Sequence, residues 1–268
     1  MPESSLSLQR PQEGLVVLQL ERGSRMNAMD VPAMRELKAT LDTLAADRSV
    51  RVLILTGQGR GFCAGLDLKS VLDEQGRYGL NAAESYELQM VFDSVMRRLR
   101  SMDAAVIAAV NGVAVGAGFG LSLCADIRFA SRSASFHVGA VKVGLSAGEC
   151  GISYHLPRLI GAGRAFELML TGRPIDAQEA ERIGLVAGIT EPDALLPRAL
   201  ECARQILANS PYSTLHTKRV MWNNLDAPGL EAALDLENHV QVLALMTEDF
   251  GEAALAFSQK RPPQWRGR

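Results

Sequence analysis

The chain has 268 residues with 28 basic and 30 acidic side chains interspersed and a net charge of −2, which excludes the strongly basic footprint of a nucleic-acid binder. Its length is enough to bury a large core. Cys63, Cys124, Cys150 and Cys202 are widely separated, with no CxxC pair or Cys/His cluster at metal-ligand spacing, so reduced thiols in a cytoplasmic protein are expected and no metal site is read.

Taken in chain order, "MPESSLSLQRPQEG" has no apolar core behind a basic start, so no secretory signal is expected. "GLVVLQLE" and "RVLILTG" read as buried strands, with "MDVPAMRELKATLDTLAAD" as the helix between them and "QGRGFCAG" as a glycine-rich loop after the second. From Ala83 to Met102, Leu88, Phe92, Val95, Leu99 and Met102 recur on one helical face, a core stripe rather than a cofactor box. "AVIAAV" then predicts a strand, Asn111-Gly112 a turn, "VAV" a short strand, Gly116 to Cys124 a helix and "DIRFAS" a strand. Ala104 to Ala125 carries no charge, yet its Asn-Gly break, scattered glycines and the flanking Asp103 and Asp126 argue against a membrane span. After about residue 160 nearly every segment reads as helix, several opening with proline. The expected organisation is an α/β core over residues 1–200 followed by a helical region over 201–268, with a basic tail beyond Phe257.

The glycines of "NGVAVGAGFGLSLCAD" offer no acid, base or nucleophile. A strand that ends at Gly116-Ala117-Gly118 and turns into a helix leaves N–H groups unpaired at the positive end of the helix. The loop Gly57 to Lys69 offers a second set of amides. Brought together, one amide from each could bind a single oxygen as it gains negative charge; equally, both loops could simply need tight turns. A phosphate loop would end in Lys-Ser/Thr, and a dinucleotide site needs G-x-G-x-x-G; neither pattern is present in these segments.

"MNAMD", "VLILTGQGRGFCAGLDLK", "AAVNGVAVGAGFGLSLCADIRFAS" and "LPRLIGAGRAFELMLTGRPIDAQEAERIGLV" together resemble the enoyl-CoA hydratase/isomerase, or crotonase, family from about residue 13 to the C-terminus. The resemblance implies an α/β fold of repeated strand-strand-helix turns with a C-terminal helical region that trimerises, assembled as a homotrimer or a hexamer of two trimers. It implies an acyl-CoA thioester as the ligand, coenzyme A being part of the substrate and no separate cofactor being needed. The oxyanion-hole amides fall on Leu66 and Ala117. Leu66, Asp67, Leu68 and Lys69 would lie along the adenine and pantetheine, with Arg25 near the nucleotide. Phe257 and Lys260 would reach the coenzyme across a subunit boundary, although Lys260 also reads as a solvated tail lysine. Asp126 would be structural.

The chain departs from the two-glutamate hydratase pattern, whose acids would fall on Gly120 and Ala140. Neither residue can move a proton, so isomerase or other lyase chemistry is expected in place of ordinary hydration. The nearest acid is Glu149, in a loop where dienoyl-CoA isomerases and dihydroxynaphthoyl-CoA synthases of the superfamily place one; Tyr154 and His155 follow it, and His137 is a weaker candidate. Glu149 also reads as a helix cap or a surface residue. The alternative function is a non-catalytic acyl-CoA binding protein that kept the pocket.

Overall fold

The computed structural model describes residues 4–267; Met1–Glu3 of the segment read as lacking a secretory signal, and Arg268, lie outside the described residues. Strands β1 (Leu6–Gln12) and β2 (Leu15–Leu20) form a hairpin, and helix α1 (Val31–Ala46) leads to β3 (Val52–Gly57) and β4 (Gly61–Cys63). Helix α2 (Ala82–Ser101) is followed by β5 (Ala105–Val110), β6 (Val113–Val115), α3 (Ala117–Leu123), β7 (Ile127–Ser131) and β8 (Ser135–His137). The remainder runs α4 (Ile152–Ile160), α5 (Ala162–Thr171), β9 (Ile175–Asp176), α6 (Ala177–Arg182), β10 (Ile189–Thr190), α7 (Leu195–Leu207), α8 (Pro211–Asn224), α9 (Leu230–Leu245) and α10 (Glu248–Ser258). Among the described residues no helix is long and apolar enough to cross a membrane.

Two sheets result, one ordered β1-β2-β3-β5-β7-β10 and one ordered β4-β6-β8-β9. From β2 onward the first sheet is parallel, and β4, β6 and β8 are parallel in the second. Each turn of chain therefore lays a strand in one sheet, bends, and lays a short strand in the other. Strand β1 was not anticipated, and "GFC", expected inside a loop, is the strand β4.

Alternation explains how the first sheet is held between two layers. Val16, Leu18, Leu53, Leu55, Val106 and Ala108 face the main core with α1, α2 and α3. Leu15, Val17, Val52, Ile54, Ile107 and Ala109 face the other way, onto Leu195, Ala199 and Ala203 of α7. Each fully buried aliphatic side chain contributes about 1.5–3 kcal/mol. The helix ends follow from sequence as well: Asp30 accepts from the Ala33 N–H at the start of α1, and Asn81 with Glu84 forms a reciprocal cap on α2.

The corners between the sheets are locked by asparagine. Asn111 accepts from the Gly57 N–H at 3.0 Å and donates to Gly59 O at 2.9 Å. Buried Asn27 donates to Gly61 O at 2.8 Å. A Cβ on Gly112 would fall 1.9 Å from Arg60 O, so the Asn111-Gly112 turn packs directly on the preceding corner. These contacts fix the ends of β4 and β6 relative to one another.

Candidate active site

The "MNAMD" segment clamps the loop that follows β4. Met29 N–H donates to Gly65 O at 2.8 Å, and Asp67 N–H donates to Met29 O at 2.9 Å. In this parallel bridge Met29 stands opposite Leu66. The Leu66 N–H therefore points to the other side of the segment, and among the described residues it has no hydrogen-bond partner.

The second loop is built at the end of β6. Gly116 N–H donates to His137 O at 3.0 Å, and Gly120 N–H donates back to Gly116 O at 2.9 Å. Ala117, the first residue of α3, has no acceptor for its N–H among the described residues, as expected in a first helical turn. Gly116 has φ 50 and ψ −116, a conformation for glycine. The loops touch. A Cβ on Gly65 would lie 2.6 Å from Val115 O and 3.3 Å from Ala117 N, and one on Gly118 would lie 1.9 Å from Cys63 O. The glycines thus allow two backbone segments to meet with no side chain between them.

Leu66 and Ala117 both line a cavity of about 160 Å³. Its walls are largely apolar, with Leu88 and Phe92 from α2 on one side and Ala140, Val143 and Leu145 on another. Glu149 and Cys150 are the titratable side chains among the lining residues. Glu149 Oε1 would be 3.1 Å from a Cβ on Gly116, which places the carboxyl beside the start of α3. Among the described residues that carboxyl has no hydrogen bond or ion pair, and burial pushes it above the ordinary glutamate value. Burial likewise pushes the Cys150 thiol far up, so it stays protonated and weakly nucleophilic.

The other candidates are used elsewhere. His155 is buried against Trp222 and Cys124, and burial with nearby arginines pushes it down to about 4. The Tyr154 hydroxyl donates to Asp226. The His137 ring meets Ser135 Oγ at 2.9 Å. None of the three lines the cavity. Asp126 accepts from Val106 N–H at 2.7 Å and Trp222 Nε1 at 2.6 Å and pairs with Lys218 at 2.8 Å, tying α8 to β5.

Among the residues expected along the coenzyme, Leu68 lines the cavity. Buried Asp67 caps the 3-10 turn Leu68–Ser70 through Lys69 N–H and pairs with Arg25 at 3.2 Å. The Arg25 and Lys69 side chains are exposed. Phe257 and Lys260 lie at the end of α10, exposed and outside the cavity. Sequence reasoning missed the walls supplied by Val143 and Leu145, whose signal was only a glycine-bounded apolar run.

A sequence model of the enoyl-CoA hydratase/isomerase family matches residues 10–268. The chain belongs to the enoyl-CoA hydratase/isomerase family. It is 41% identical to a probable enoyl-CoA hydratase of Mycobacterium leprae, over 96% of this chain and 87% of that protein. It is 35% identical to the 1,2-epoxyphenylacetyl-CoA isomerase of Escherichia coli, over 97% of this chain and 98% of that one. A crystal structure of enoyl-CoA hydratase from Bacillus anthracis superposes with a TM-score of 0.92 at 34% identity, covering 98% of this chain and 100% of the other. The family's crotonase-like fold of strand-strand-helix turns with closing helices is the fold described above.

Proposed function

We propose that the protein binds an acyl-CoA thioester with its carbonyl oxygen between the Leu66 and Ala117 amides and uses Glu149 to shift a proton and a double bond along the acyl chain. One observation carries the reading: two residues from different loops with unpaired N–H groups, and one residue with an unpaired acid, line the same cavity. For a 3-enoyl-CoA, the Glu149 carboxylate takes a proton from Cα, and the electron pair moves through the carbonyl onto oxygen. The amides stabilise that oxyanion. Glu149 then returns the proton at Cγ, the electrons re-form the carbonyl, and the double bond lies between Cα and Cβ. A single carboxyl suffices because the proton removed is the proton returned. Hydration would require groups to hold water and supply its proton, and Gly120 and Ala140 offer neither. A positioned base contributes typically ~10²–10⁴-fold, and each oxyanion donor ~10²–10³-fold.

Arg25 and Lys69 supply exposed positive charge for the coenzyme phosphates, with Leu66, Asp67 and Leu68 forming the path from the cavity. Phe257 and Lys260 fit a role toward a neighbouring subunit. Helix α9 has 16 residues and none is buried, while Leu230, Leu234 and Val242 are exposed; this supports a homotrimer or a hexamer. The four cysteines are free, in keeping with the cytoplasm. Coenzyme A enters with the substrate, and the proposed reaction calls for no further cofactor.

The test is Glu149→Gln assayed with 3-hexenoyl-CoA. Conversion to the 2-enoyl product should fall by about 10²-fold or more, with calorimetric affinity for the thioester nearly unchanged. Full turnover in this variant would overturn the role of Glu149. Tight binding by the unaltered protein, with no turnover of enoyl, dienoyl and 3-hydroxyacyl thioesters, would instead establish the binding-protein alternative.

A further inference from the structure

Gly120 lies in the second turn of α3, fully buried, at the position where the resemblance would put a hydratase glutamate, yet it does not line the cavity. Cys150, which does line the cavity, packs on Gly120. A Cβ on Gly120 would fall 2.6 Å from Cys150 O and 2.7 Å from Cys150 Cβ. Neither atom is the free end of a flexible chain: one is main-chain, the other is fixed by it. Cys150 adopts φ 47 and Gly151 φ 77, two successive left-handed residues, and Ile152 N–H closes the turn onto Glu149 O at 2.8 Å. The turn is therefore tight, and it packs into space that exists because residue 120 has no side chain.

We infer that Gly120 is a positioning residue for Glu149: it admits the Cys150 peptide against α3, and that peptide holds the Glu149 carboxyl beside Gly116 and Ala117. This rests on the reading of Glu149 as the proton carrier. A side chain at residue 120 cannot coexist with Cys150 in its present place, so the missing acid on α3 is a steric condition for the turn that carries the acid in the loop. It also follows that Gly120→Glu does not create a hydratase with two acids, but displaces the acid already there.

The experiment is a double-mutant cycle of Gly120→Ala and Glu149→Gln with 3-hexenoyl-CoA, followed by isomerisation rate and by exchange of the C2 protons in D2O. Gly120→Ala is expected to lower kcat by about 10²-fold with KM changed by less than about 3-fold. The acid limb of its pH–rate profile should move toward the ordinary carboxylate range, as a displaced Glu149 regains water. In the Glu149→Gln background the same substitution should change the residual rate by less than about 3-fold, since both act through one group. If Gly120→Ala does not fold, the double variant with Cys150→Gly replaces it in the cycle: this removes the 2.7 Å contact and the left-handed β-carbon, so that the peptide can shift away from the remaining 2.6 Å contact at Cys150 O, and the protein is expected to fold with kcat still depressed. Unchanged kcat in Gly120→Ala, or an equal loss in both backgrounds, would overturn the inference. Full activity in Glu149→Gln would instead remove the reading beneath it, whereas an inactive Glu149→Gln beside an unimpaired Gly120→Ala would sink this inference alone.

Discussion

Oxygen Oε1 of Glu149 lies 3.1 Å from the place a Cβ would take on Gly116, so the acid of the cavity rests against the residue that turns β6 into α3. The contact leaves the carboxyl near an unpaired amide without a charged partner, and its elevated proton affinity comes from burial alone.

That elevation has a thermodynamic sign. A carboxyl whose folded value lies above its unfolded one binds a proton more readily in the folded chain, so it favours folding at low pH and that contribution disappears as pH rises through the folded value. Glu149→Gln should therefore melt at a higher temperature than the unaltered protein at pH 7.5, with the difference shrinking toward pH 4.5. Calorimetric melts across this range check it, and a lower melting temperature at pH 7.5 would refute it. In activity the direction is opposite: the proposed mechanism uses the base form, so turnover should rise with pH through an apparent value above the ordinary one of 4.5.

Gly65 is the point of closest approach between the two loops. With φ +82 and only 2.6 Å between its would-be Cβ and Val115 O, Gly65→Ala is expected to push Leu66 away from Ala117. Turnover should fall by ~10²–10³, the usual loss for one oxyanion donor, together with about 1–3 kcal/mol of stability from the disfavoured backbone. Kinetics and urea unfolding on the same preparation measure both, and unchanged kcat would show that the amide pair plays no part in turnover.

Asp126→Asn removes the partner of Lys218, whose side chain is only 9% exposed. Losing one member of a buried pair typically costs about 3–5 kcal/mol, and Asp126 also holds Trp222 and the Val106 N–H. Urea denaturation should show a loss near the lower end, because asparagine keeps part of the hydrogen bonding. At temperatures where the variant is folded, the affinity of one subunit's cavity for the thioester should be unchanged, since Asp126 does not line it.

Much of this was legible in the sequence, and the reasons are local. The stripe Leu88, Phe92, Val95 and Leu99 gave α2, and the β-branched and leucine-rich runs gave β2, β3 and β5. Strand β1 escaped because it is a largely exposed edge strand containing Pro11, and its alternation stops after Leu6-Ser7-Leu8-Gln9. Strand β4 escaped because three residues beside glycines look like a turn; only β6 lying alongside makes them a strand. The amides of Leu66 and Ala117 could be named from motifs, but their freedom depends on Met29 taking the groups beside Leu66 and on His137 taking the Gly116 N–H, pairings between separate segments. Nothing local separates Glu149 from Tyr154 or His155. That separation comes from the left-handed turn at Cys150 and Gly151, which sends the acid into the cavity and lets α4 carry the other two away.

The amides lie just past the C-terminal ends of β4 and β6, where Met29 and His137 take the neighbouring backbone groups, whereas the acid belongs to a loop bounded by Gly144 and Gly151 with its own left-handed turn. The freedom of the two amides and the placement of the acid are thus set by different contacts that meet at Gly116. A redesign of residues 144–151 would therefore change the acid together with the Leu145 wall and the surface packed on Gly116 and Gly120, while the pairings that leave the two amides free lie outside the rewritten segment.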